Sequence, residues 1–106
     1  MTDKINDMDD VVSSFYGDDQ VTAIITIKVD SKEVEKAAME LSKLNEIQDV
    51  FLVAGDTDIV IKTKFDNYQH LKEFVTRLLP PVVGLRESKT MIVVSTYKEN
   101  GVRKVQ

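Results

Sequence analysis

Residues 21–29, Val21-Thr22-Ala23-Ile24-Ile25-Thr26-Ile27-Lys28-Val29, decide the fold. Val21, Ala23, Ile25, Ile27 and Val29 fall on one face at a period of two, and the stretch is rich in β-branched residues, which predicts a strand with one face in a core. Immediately after it, Asp30 and Glu33 form a capping-box pattern. Val34, Ala37, Ala38, Leu41 and Leu44 then recur at helical spacing, which predicts a helix of about four turns.

Further along, Val50 to Ala54 is a short apolar run, Gly55-Asp56-Thr57-Asp58 supplies turn chemistry, and Ile59 to Phe65 resumes alternation. Together they predict a hairpin. Asp66-Asn67 can cap a second helix whose stripe is Leu71, Phe74, Val75 and Leu78, stopped by Pro80-Pro81. A last strand is expected over Thr90 to Tyr97. The order βαββαβ, with right-handed crossovers, folds into an α+β, ferredoxin-like sandwich: an antiparallel sheet in the order 4-1-3-2 with both helices on one side. Residues 1–20 are expected to be an acidic leader, flexible or a short helix, 21–98 the folded domain, and 99–106 a tail or short hairpin.

The composition narrows the function classes. A chain of 106 residues has the size of one domain, and at this size folding hides only roughly 60 to 65% of the unfolded chain's surface, which favours self-association. The absence of cysteine removes disulfides, zinc-thiolate clusters and thiol nucleophiles. No run approaches the ~18 apolar residues of a membrane span, and the acidic N-terminus is unlike a signal peptide, so no membrane contact and a cytoplasmic location are expected. Six aspartates and one lysine lie in residues 1–20, so the formal −4 is a property of the leader and the remaining 86 residues carry about +1. A near-neutral body without clustered Lys and Arg is a poor surface for nucleic acid.

Alternation assigns Ile25, Ile27, Ile59, Ile61, Phe65, Met91, Val93 and Tyr97 to the helix-covered face of the sheet. Thr22, Ile24, Thr26, Val60, Lys62, Thr90, Ile92, Val94 and Thr96 fall on the other. Ile24, Val60, Ile92 and Val94 would each gain roughly 1.5 to 3 kcal/mol on burial, so a homodimer packed sheet to sheet through them is expected.

Few constellations suit chemistry. His70 is the only histidine and reads as a solvated helical residue without a nucleophile. Asp56-Thr57-Asp58 lacks the further ligands of a calcium loop, and no metal site is expected. No glycine-rich phosphate motif is present, so no nucleotide cofactor is expected and the chain does not read as an enzyme. What remains is Gly55 and Asp58 in the hairpin, with Ser88 and Thr90 at the entry to the last strand. Strands 3 and 4 run the same way on either side of strand 1, which brings these residues to one end of the sheet, about 9 to 10 Å apart. A carboxylate for an ammonium, hydroxyls, and a glycine that admits main-chain amides suit a zwitterion. A plain turn beside ordinary strand hydroxyls would look the same.

These residues resemble the RAM domain, the effector-binding half of the Lrp/AsnC (feast/famine) transcriptional regulators. The resemblance covers about Val21 to Lys98 and rests on two motifs. Val50-Phe51-Leu52-Val53-Ala54-Gly55-Asp56-Thr57-Asp58-Ile59 is similar to the family's G-x-x-D hairpin, and Ser88-Lys89-Thr90 to its hydroxyl-x-Thr final strand. It implies face-to-face dimers that assemble further, often to octamers, with a free amino acid bound near the hairpin by Gly55, Thr57, Asp58, Ser88 and Thr90. Thr57 stands where members often carry an aromatic residue. Members also carry an N-terminal helix-turn-helix, and here the acidic leader occupies that position. The expectation is therefore a stand-alone regulator with no direct nucleic-acid contact, acting by mixed assembly with full-length relatives.

Three rival readings share the topology. An ACT-type amino-acid sensor would want a glycine in Val29-Asp30-Ser31-Lys32. An acylphosphatase-like or dimeric-barrel enzyme is the second, and an acylphosphatase-like site would want an arginine in the first loop. The third, a purely structural oligomerisation module, differs only in binding nothing.

Overall fold

A computed structural model describes residues 20–104; the expectation of a flexible or short-helical leader falls almost wholly on residues outside that range. Strand β1 is Val21–Val29, and its alternating buried and half-buried residues follow the expected parity, with Val21, Ala23, Ile25 and Ile27 wholly buried. Helix α1 is Val34–Ser42, shorter than expected. The capping box does not form: Glu33 is the N-cap and makes no side-chain cap bond, because Asp30 is drawn into a turn, its carbonyl accepting from the Glu33 amide and its own amide donating to the Gly84 carbonyl.

Strands β2 (Ile47–Leu52) and β3 (Ile59–Phe65) form the expected hairpin. Helix α2, Tyr68–Glu73, begins at Asn67, whose side chain accepts from the His70 amide. Its continuation, Phe74–Leu78, is a π-helical turn closed by the Leu79 amide on the Phe74 carbonyl. The extra residue in that turn shifts the apolar stripe by one position, so Leu79 is buried where Leu78 was expected, and Leu78 is exposed.

Strand β4 is Leu85–Ile92, earlier than expected, and the sheet order β2-β3-β1-β4 is the expected 4-1-3-2 read from the other edge. Cross-strand partners in an antiparallel pair point to the same face. Ala23, Ile25 and Ile27 pair with Ile92, Thr90 and Ser88, so these three β4 residues face the helices and not the free face. Ser88 is buried and Ile92 packs against the core. Met91 takes the free face beside Ile24 and is exposed, while Val94 and Tyr97 lie beyond the strand, both exposed.

The core between sheet and helices is built on Ile25, Ile27, Ile59, Ile61, Leu41, Leu71 and Phe74. Phe65 joins it, with its ring 5.3 Å from that of Phe74. A short hairpin, β5 (Lys98–Glu99) and β6 (Val102–Arg103), follows the sheet. Asn100 at φ 51° and Gly101 at φ 79° give it the twist of a two-residue hairpin turn.

Candidate functional site

The loop between β2 and β3 closes where the Val53 amide donates to the Asp58 carbonyl. Gly55 has φ 150° within it, and nothing lies within 4 Å of where a Cβ would stand. The demand for glycine there is conformational and not steric. Thr57 and Asp58 turn back onto the end of β1: the Thr57 hydroxyl donates to the Ile27 carbonyl at 2.9 Å, and the Asp58 Oδ2 accepts the Val29 amide at 3.0 Å. Two polar side chains of the loop thus fasten it to the central strand.

Ile27 is also the cross-strand partner of Ser88. The hairpin and β4 therefore meet at one residue, from opposite sides. One pair further along, Thr90 lies opposite Ile25, and its Oγ1 is buried with no hydrogen-bond partner. A buried hydroxyl without a partner is uncommon and points to a ligand or water that completes it. The expected residues Thr57, Asp58 and Ser88 thus meet at the end of β1, with Thr90 one pair inward and Gly55 in the loop that Thr57 and Asp58 fasten. Ser88 and Thr90 project toward the helices, contrary to the sequence-based parity.

On the free face, Thr57 and Asp56 line a shallow hollow with Thr26, Lys28, Glu87 and Lys89. Two ammonium groups and two carboxylates rim it, and the Lys89 and Glu87 side chains approach to 4.0 Å while both stay exposed. Lys28, Glu87 and Lys89 were not expected there: Lys28 follows from the parity of β1, and Glu87 and Lys89 alternate with Ser88 and Thr90 once β4 has the right parity. Phe51 was missed too. It pairs with Val60 on the free face and is 54% exposed, with Ile24, Val60 and Met91 on the neighbouring strands.

His70 is not a solvated residue. Its Nε2 lies 3.0 Å from Glu46 Oε2, its Nδ1 accepts the Asp66 amide, and its ring stands edge-on to Phe65. That amide fixes the proton on Nε2, so the ring donates to Glu46 and holds its carboxyl below the usual carboxylate range. The contact ties the turn before β2 to α2. Among the described residues no group of three or more His, Asp or Glu side chains could hold a metal ion, and no helix is long and apolar enough to cross a membrane.

Residues 22–103 match the family model described as the Lrp/AsnC ligand binding domain. The HTH-type transcriptional regulator FL11 of Pyrococcus horikoshii is 35% identical over 77 residues, 73% of this chain. That stretch is 50% of FL11, so the chain spans about half the length of the curated relatives it matches. Among solved structures, E. coli AsnC superposes with a TM-score of 0.71 at 17% identity, over 93% of this chain and 73% of that one. The transcriptional regulator NMB0573 of Neisseria meningitidis, solved in complex with L-methionine, superposes with a TM-score of 0.70 at 17% identity, over 97% and 74%. At those identities the two structures speak for the fold alone.

Proposed function

The chain belongs to the Lrp/AsnC ligand binding domain family, and on that premise we propose that it binds a free amino acid at the end of β1 and assembles through the free face of its sheet. The observation that carries the binding is a pair of unfinished polar groups beside β1, one at Val29 and one opposite Ile25. Asp58 spends one carboxylate oxygen on the Val29 amide, which fixes the carboxylate and leaves the other oxygen for an ammonium. Thr90 Oγ1, opposite Ile25 on the helix side of the sheet, is buried without a partner and can donate to a carboxylate, with Ser88 two residues before it. Charge-assisted bonds of this kind are strong where water is scarce. The L-methionine bound by NMB0573 makes an amino acid the natural ligand class to test.

Assembly rests on Phe51, Ile24, Val60 and Met91, which form an apolar band across all four strands of the free face. Two copies meeting through it bury these side chains, each worth roughly 1.5 to 3 kcal/mol if fully covered. Mixed assembly with a full-length relative through the same face is the proposed route by which the chain modulates transcription regulators. A second reading, a structural assembly module without ligand, draws on the same loop: Thr57 and Asp58 already have partners in β1.

A thermal-shift screen against the twenty amino acids separates the two. A ligand at 100 times its dissociation constant stabilises by about 2.7 kcal/mol, and at least one amino acid should raise the melting temperature by several degrees. A flat response to all twenty at millimolar concentration leaves the structural module as the function.

A further inference from the structure

The hairpin β5–β6 contributes no residue to the core. It folds back over the free face: a hollow between the two is floored by Thr22, Ile24 and Lys62 of the sheet and walled by the segment from Val93 to Glu99. Lys62 Nζ and Glu99 Oε2 are 2.6 Å apart, with side chains 23% and 37% exposed. This ion pair is the hairpin's latch on the sheet, and an ion pair so exposed contributes little to stability. Lys64 and Lys104 add to the positive field around Glu99, whose carboxyl is held below its ordinary range first by the hydrogen bond from Lys62.

Two features conflict with a hairpin that stays in place. Strands of two residues are marginal on their own, and this hairpin leaves Tyr97 and Val102 76% and 61% exposed. It also occupies one end of the face through which, on the proposed function, a second sheet packs at about 10 Å. A hairpin layer above Ile24 and Lys62 fills that gap. The segment 93–97 that tethers it has no helix or strand, and five extended residues reach about 16 to 18 Å, enough to cross from one sheet to the other.

We infer that the C-terminal hairpin is an exchangeable arm: when two copies pair sheet to sheet, it leaves its own face and reaches across, so that Glu99 of each chain engages the partner's Lys62. Exchange of an identical element re-forms the same contact without needing a new one, which makes it a low-cost addition to a twofold dimer. The occupant of the basic spot at Lys62 is then always a Glu99 carboxylate, from the same chain in the monomer and from the second copy in the dimer. The inference rests on the sheet-to-sheet pairing and adds to it the residues that each copy lends the other.

Charge reversal with mixing tests it. Lys62→Glu and Glu99→Lys are made singly and together, and dimer dissociation constants are measured by sedimentation. Each single variant sets like charges against each other at its latch in the monomer and at both latches in the exchanged dimer, so the two singles serve as matched partners for mixing. An equimolar mixture should associate at least about five-fold more tightly than either single variant alone, with mass spectrometry showing heterodimers in excess over the statistical half, because only a mixed pair restores both latches across the interface. The double variant, which restores the latch in either arrangement, is the folding control. A mixture that associates no more tightly than the single variants, with heterodimers at the statistical half, means that the latch stays within one chain or that the arm plays no part, and overturns the inference while leaving the pairing intact. A wild-type chain that is monomeric at every concentration overturns the pairing itself, and the arm with it.

Discussion

The Asp58 carboxylate accepts the amide hydrogen of Val29, a residue 29 positions earlier, at 3.0 Å. This bond joins the β2–β3 loop to the end of the central strand, and it gives Asp58 two separable tasks. Asp58→Asn keeps an oxygen for the Val29 amide, whereas Asp58→Ala leaves that amide without its charged partner. Urea denaturation should show the alanine variant destabilised by roughly 1.5 to 3 kcal/mol and the asparagine variant by less. Both should lose amino-acid-induced stabilisation. An asparagine variant that still responds fully to the ligand would separate Asp58 from the site.

Met91 and Ile92 are neighbours with opposite fates. Ile92 packs against the core and Met91 lies on the free face. Ile92→Asp should cost more than about 2 kcal/mol of folding stability, by cavity and buried charge together. Met91→Asp should leave the unfolding free energy of the monomer within about 0.5 kcal/mol yet weaken self-association, as read by light scattering. The reverse pattern would restore the sequence-based parity of β4.

Gly84 sits at φ +74°, and a Cβ there would lie 2.7 Å from the Glu33 Cβ. Gly101 has a similar φ of +79° but open space around it. Gly84→Ala should therefore lose more stability than Gly101→Ala. The latter should cost about 1 kcal/mol from the left-handed backbone alone, and the former adds the clash. Equal urea midpoints for the two variants would mean that the contact between α1 and the turn before β4 is soft.

The hydrogen bond from His70 holds the Glu46 carboxyl below its ordinary range, with burial opposing. A carboxylate whose folded value is depressed contributes stability above its unfolded value, about 4.3. That contribution is lost as pH falls through the folded value, since the unfolded state then takes up more protons. The stability difference between wild type and Glu46→Gln should thus be largest near neutrality and shrink on acidification below about pH 4.3. A difference that grows toward acid would reverse the assignment.

Much of the fold was legible because β1 and β3 alternate cleanly and because Gly55-Asp56-Thr57-Asp58 carries turn chemistry. The errors share one origin. From Ser88 to Val94, polar residues occupy both parities and are followed by an unbroken apolar run, so local pattern does not say which side faces the helices. Pairing with Ile25 and Ile27 settles it, and pairing is a long-range fact. The same holds for Asp30, whose amide goes to Gly84 and not into a capping box, and for the π-helical turn that exchanges Leu78 for Leu79. His70 looked solvated because Glu46 and Phe65, its neighbours in space, are not its neighbours in helical spacing. The hairpin half of the candidate site was proposed from turn chemistry, while the part of the charged rim at Glu87 and Lys89 depended on the parity of β4.

The most direct test of amino-acid binding at the end of β1 is a titration followed by ¹H–¹⁵N correlation spectra of the labelled protein. The amino acid with the largest thermal shift should move the amide resonances of Gly55, Asp58, Val29 and Thr90 with one common dissociation constant, and Asp58→Asn should abolish the movement. Shifts that cluster elsewhere, on α1 or on the C-terminal hairpin, or saturation that survives in Asp58→Asn, would contradict the account.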